Sequence, residues 1–120
     1  MDLVQFLRDR LDEEEGIARA ATQGEWVWSR EFVTPPGYHH RTIGPLEPGD
    51  AAHIAAHDPA RVLRNVEAKR GIVDDLAEVI RWGERKGPDY QDGVDACERT
   101  LKRLALPYAD HPGFREEWRL

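Results

Sequence analysis

The sequence predicts a small α+β domain: an N-terminal helix, a short antiparallel β-hairpin, an antiparallel pair of long helices and a C-terminal tail. Three observations carry this. Leu3, Leu7 and Leu11 step by four residues, the spacing of one helix face. The stretch EWVWSREFV, Glu25 to Val33, is instead aromatic and β-branched with period two, and the turn sequence TPPGYHH follows it. Beyond Pro59, two apolar stripes of helical spacing flank the polar stretch GERKGPDYQDG, which suits a helical hairpin.

The elements follow in order along one domain, 1–120. The N-terminal helix occupies 1–22. Asp2 can cap it, Val4 and Phe6 widen its leucine stripe, and the acids Asp12 to Glu15 face water. Gly16 weakens the second half, Ile17, Ala18, Ala20 and Ala21 sustain it, and Gln23-Gly24 ends it. The hairpin occupies 25–46. Trp26, Trp28 and Phe32 share one face, Pro35-Pro36-Gly37 reverses the chain, Tyr38 to Ile43 returns, and a third irregular strand is an option. The helical region occupies 50–105. Asp50 caps a short helix from Ala51 to about His57, and Asp58-Pro59 starts a long one that reaches about Trp82. On it Val62, Val66, Lys69, Val73, Leu76 and Ile80 step by 4, 3, 4, 3 and 4, a coiled-coil-like seam with one polar position. Gly71 is its weak point. Val94, Cys97, Leu101 and Leu104 form the stripe of the last helix, which Leu106-Pro107 ends. The tail, 106–120, carries a final turn capped by Asp110, with Phe114 and Trp118 four residues apart.

Bulk properties narrow the function. The chain has 120 residues, 40% hydrophobic and 33% charged, enough to bury a core without a staple. A net charge of -6 argues against general DNA binding or binding to an anionic membrane, both of which need a basic face. With one cysteine no intramolecular disulfide can form. The start, MDLVQFLRDRLDEEE, does not read as a signal peptide, and no apolar run approaches the roughly 20 residues that span a bilayer. A soluble, cytoplasmic protein is expected.

HDPARVLRNVEAKR (His57 to Arg70), LALPYADHPGFREEWR (Leu104 to Arg119) and DLVQFLRDRLDEEE near the N-terminus closely resemble a family of uncharacterised actinobacterial and actinophage proteins, a domain of unknown function. The resemblance covers nearly the whole chain. The order ATQGEW, then DAAHIAAHDPARVL, is also similar to a pattern in small phage-encoded accessory proteins, with His53 where those carry an aromatic residue. The resemblance implies a host range and a phage context. It implies no catalytic residue.

Three groups of side chains are candidate sites. His53 and His57 lie four apart, so on an intact helix both can face one zinc ion, with Cys97 and His111 as further ligands and Asp58 as the nearest carboxylate. The glutamate that a metalloprotease helix carries beside its first histidine is absent, since Ile54 stands there. The competing reading makes His57 a cap and His53 a packing residue. Cys97 as a nucleophile lacks any surrounding signature and reads as a core residue. Arg61 and Arg64 flank a helix N-terminus, which already favours an anion, and Lys69 and Arg70 extend the basic run. With Trp26, Trp28 or Tyr38 to stack a base, they suit a phosphate-bearing ligand such as a nucleotide or single-stranded nucleic acid. Against this stands a solvated face of ion pairs. Finally the seam residues Val62, Val66, Val73, Leu76 and Ile80, together with Trp118, are candidates for a homodimer interface, although Phe114 and Trp118 docking onto their own domain is the simpler arrangement.

The expected role is therefore non-enzymatic: an accessory protein of phage or mobile-element type that binds a partner or small ligand as a homodimer. The alternatives are a nucleotide- or nucleic-acid-binding module using the arginines and a small zinc protein using the histidines. An enzyme ranks last, because no carboxylate pair, phosphate loop or nucleophile motif stands out.

Overall fold

The computed structural model describes residues 2–37 and 41–120. Its elements are α1 (Asp2–Ala20), β1 (Val27–Ser29), β2 (Phe32–Thr34), α2 (Pro48–Ala56), α3 (Pro59–Lys86) and α4 (Gln91–Ala105), with short 3-10 turns at Pro88–Tyr90, Leu106–Tyr108 and Glu116–Trp118. An N-terminal helix, a two-stranded antiparallel sheet and long helices give the α+β class. The chain divides into two compact units. A helical unit holds the residues through Asp12 and Ala68–Leu120, and a mixed unit holds Glu13–Glu67, so α1 and α3 contribute to both.

In the helical unit, the leucine stripe of α1 is the buried face: Leu3, Leu7 and Leu11 are almost inaccessible, and Val4 and Phe6 join them. Val73 and Ile80 of α3 and Val94, Leu101 and Ala105 of α4 are buried as well. Burial of this kind contributes roughly 1.5–3 kcal/mol per large aliphatic side chain. Helix α3 runs past Trp82 to Lys86, so the first residues of the expected polar loop are helical. Gly87 ends it at φ +104°, a conformation that costs a glycine little. The turn Pro88–Tyr90 then leads directly into α4. Gly83 stands where this hairpin is tightest: a Cβ on it would lie 2.6 Å from Cγ2 of Val94. The tail closes on α1 through an aromatic cluster centred on Phe6. The rings of Trp118, His111, Tyr108 and Phe114 lie 5.0, 5.5, 6.2 and 6.3 Å from it. Arg115 reaches Asp2 at 2.9 Å. The last turn covers Glu116–Trp118, with Arg115 before it in place of the expected Asp110 cap.

In the mixed unit, α1 ends at Ala20. The Gln23 side-chain amide donates to the carbonyls of Ala18, Ala21 and Arg19, at 2.7, 2.8 and 3.1 Å, and so satisfies acceptors that the helix end leaves open. The hairpin corrects the sequence expectation. Glu25 to Val33 is not one strand. It spans β1 and most of β2, which pair as Val27 with Thr34, Trp28 with Val33 and Ser29 with Phe32, and the chain reverses at Arg30-Glu31. Arg30 takes φ +53° there. Ser29-Arg30-Glu31 holds no Gly, Pro, Asn or Asp, so Ser29 alone, a weak turn former, marks the reversal in its composition. The expected return strand began at Tyr38, and Tyr38, His39 and His40 lie outside the described residues; its far end, Ile43, exchanges hydrogen bonds with Val33 at 2.7 and 3.0 Å. Helix α2 begins at Pro48, not after Asp50, because a proline at the first position has the right φ and no N–H to satisfy. Val33, Ala51 and Ala55 are the buried centre, and Trp26, Leu46 and Ile54 pack around it.

Candidate functional site

Asp58 organises the mixed unit. Its Oδ1 accepts the backbone N–H of Arg61 at 2.9 Å, the N-cap bond of α3, and its Oδ2 accepts the backbone N–H of Trp26 at 3.0 Å. The residue is 7% exposed. One carboxylate thus caps the helix and holds the entry of the hairpin. The anion-favouring end of α3 is already filled by this protein carboxylate, which removes the position a ligand phosphate would take between Arg61 and Arg64. Both arginines are exposed. Trp26 is partly buried and donates its indole N–H to the Thr22 carbonyl at 2.9 Å, so it is a structural tie and no open stacking platform. Trp28, by contrast, is 48% exposed. Lys69 and Arg70 belong to the helical unit, where Arg70 pairs with Asp12 at 2.8 Å.

The two helical histidines are neighbours, with ring centroids 4.3 Å apart. His57 Nδ1 lies 2.7 Å from the His53 carbonyl oxygen. A carbonyl only accepts, so Nδ1 carries the proton and donates: His57 caps the end of α2. The further ligands do not join them in one group. Cys97 and His111 belong to the helical unit, and among the described residues no group of three or more His, Cys, Asp or Glu side chains could hold a metal ion. His111 instead anchors the tail: its Nδ1 accepts the Gly113 N–H at 2.9 Å, the Arg10 guanidinium lies against both ring nitrogens, and the ring meets Phe6 edge-on.

Helix α3 carries two apolar stripes. Val66, Val73 and Ile80, seven apart, are buried within the single chain, at 2%, 1% and 4% exposure. Trp118 is buried too, against Phe6 and Phe114. These four candidates for an intermolecular contact therefore belong to the chain's own core, because one side chain cannot fill two interfaces. Val62 and Leu76, the other two, are partly exposed. Beside the buried stripe lies a second one that the seam pattern does not reveal. Ile72, Val79 and Trp82 are 41%, 45% and 42% exposed. Trp82 meets Tyr90 edge-on at 4.8 Å, and Tyr90 is itself 43% exposed. Lys86 Nζ sits 5.7 Å from the Trp82 ring centre, a cation–π contact. Val79, Trp82, Asp89, Tyr90 and Gly93 line a cleft here. A signal was present. The doublets Ile72-Val73 and Val79-Ile80 repeat after seven residues, which makes the apolar arc of α3 wider than one packed seam requires.

No helix of the described residues is long and apolar enough to cross a membrane. Comparison with curated proteins and with solved structures finds no match. A family of unknown function, DUF6221, matches residues 1–120, the full length of the chain, and the protein belongs to that family.

Proposed function

We propose that the protein is a non-enzymatic accessory binding protein, of the type that actinophages or mobile elements encode, and that it works in the cytoplasm by contact with another protein chain. Its contact surface is the exposed stripe of α3, with Ile72, Val79 and Trp82, continued by Tyr90. The observation that supports this reading is the exposure of four large apolar side chains along one surface, at 41–45%, on a unit whose neighbouring stripe is buried. Contiguous apolar surface of this kind costs solubility and is typical of interaction sites. Trp82 and Tyr90 are also the residue types enriched at binding hot spots.

The test is paired capture from a host lysate. Wild-type protein and a Val79→Glu/Trp82→Ser variant with unchanged circular dichroism are used as baits. Chains retained by the first and lost with the second support the reading. Identical retention by both overturns it. A second reading is favoured by a separate observation: Trp28 and Phe32 are 48% and 39% exposed in the unit that carries the exposed Arg61 and Arg64. Exposed aromatic rings and exposed arginines within one unit suit a single-stranded nucleic acid held by the side chains, not by the helix end that Asp58 fills, and such binding would weaken steeply with salt. Binding of a short oligonucleotide that is absent, or insensitive to salt, contradicts it.

A further inference from the structure

We infer that the occupant of the α3 stripe is a second copy of this chain, lying antiparallel to the first with a two-fold axis near Val79. This rests on the proposed contact surface and names its partner. The distribution of charge along the stripe carries it. Asp75 and Glu78 precede Val79, and Arg81, Arg85 and Lys86 follow it. Asp74 is already engaged with Arg8 at 2.9 Å, but Asp75, Glu78 and Arg85 have no ion-pair partner among the described residues. The charges between Gly71 and Val79 are thus all acidic, whereas beyond Val79, as far as Tyr90, the three cations Arg81, Arg85 and Lys86 outnumber the two acids Glu84 and Asp89.

A parallel copy would set acid against acid and base against base. An antiparallel copy centred on Val79 sets Asp75 level with Gly83 of its mate, two and three residues short of Arg85 and Lys86, an offset of less than one helical turn that the long basic side chains can span. The apolar positions agree with the same register. Val79 meets its own counterpart, Trp82 comes level with Leu76, and the stem of Lys86 lies over Ile72. Self-complementarity about a two-fold is what an isologous interface requires. Like-charge contact at the rim disfavours the parallel register, and opposite-charge contact favours association in the other. Trp82 supplies the large flat side chain that such a contact would bury, and it is flanked by Tyr90 on one edge and Lys86 over the ring.

Sedimentation equilibrium of the purified chain tests this without any lysate. The wild type is expected to dimerise within the micromolar range. Asp75→Lys with Glu78→Lys, and separately Arg85→Glu with Lys86→Glu, should each weaken the dimer by about tenfold or more, and mixing the two variants should restore a heterodimer. In a Cys97→Ala background, Val79→Cys should cross-link across the axis under mild oxidation, whereas Ile72→Cys should not. A wild type that stays monomeric at several hundred micromolar overturns the inference; if lysate capture still depends on Val79 and Trp82, the stripe then takes a different protein and the contact surface survives. Cross-linking through Ile72→Cys as readily as through Val79→Cys also overturns it, since that is the parallel arrangement.

Discussion

Asp58 shows how much a single side chain can hold. An exposed N-cap aspartate contributes about 1 kcal/mol. Asp58 is buried and accepts a second backbone N–H, that of Trp26. Its removal leaves a part-buried donor without an acceptor, which costs about 1–3 kcal/mol more. Asp58→Ala should therefore lower the unfolding free energy by about 2 kcal/mol or more, and Asp58→Asn, which keeps one acceptor oxygen, by less. Urea titration of the three proteins reads this directly, and a midpoint unmoved by Asp58→Ala would show that neither bond matters. The capping role of Asp58 was legible from Asp-Pro ahead of an apolar-periodic run. Its bond to Trp26 was not, because residues 32 positions apart meet only once the hairpin is folded. His57 is the milder case. Its bond to the His53 carbonyl is exposed, so His57→Ala should cost at most about 1 kcal/mol, and a chelator should leave the melting temperature unchanged. A chelator-induced fall would restore the zinc reading.

Within α3, two glycines separate helix propensity from packing. Gly71 has open space where alanine would place its methyl group, so Gly71→Ala should stabilise by about 0.5–1 kcal/mol through propensity alone. Gly83→Ala gains the same propensity but drives its methyl to 2.6 Å from Val94, and should destabilise overall. Thermal unfolding of both variants decides it, and an equal response would deny the close approach of α3 and α4. Helices were the legible elements, since Leu3, Leu7 and Leu11 or Val66, Val73 and Ile80 repeat a buried period over several turns. Their ends were less so. Pro48 opens α2 ahead of the more conspicuous Asp50, and α3 passes Trp82 because Gly83-Glu84-Arg85-Lys86, although polar, still suits a helix until Gly87. The hairpin was placed within the right segment, but its reversal at Arg30-Glu31 is carried by backbone geometry that composition marks only weakly.

At the scale of the whole molecule, the tail and the α3 stripe divide the large aromatic residues of the helical unit between stability and contact. Phe6 and Trp118 tie the tail to α1. Phe6→Ala or Trp118→Ala should each cost about 3–5 kcal/mol, the range for a buried aromatic, and near-UV circular dichroism together with urea titration will show it. Loss below about 1 kcal/mol would mean the tail is not part of the core. The stripe has the opposite expectation: Ile72, Val79 and Trp82 should matter little to folding and much to association. The sequence marks both stripes of α3 as apolar, but which one faces inward depends on how α1, whose Val4 and Arg8 lie beside Ile80, and α4, whose Val94 lies beside Gly83, pack on it. The most direct measurement compares Val73→Glu with Val79→Glu for unfolding midpoint and sedimentation mass. Val73→Glu is expected to unfold the helical unit, whereas Val79→Glu keeps the wild-type midpoint and sediments as a monomer. A Val79→Glu protein that unfolds, or that associates as the wild type does, would contradict the division of α3 into a core stripe and a contact stripe.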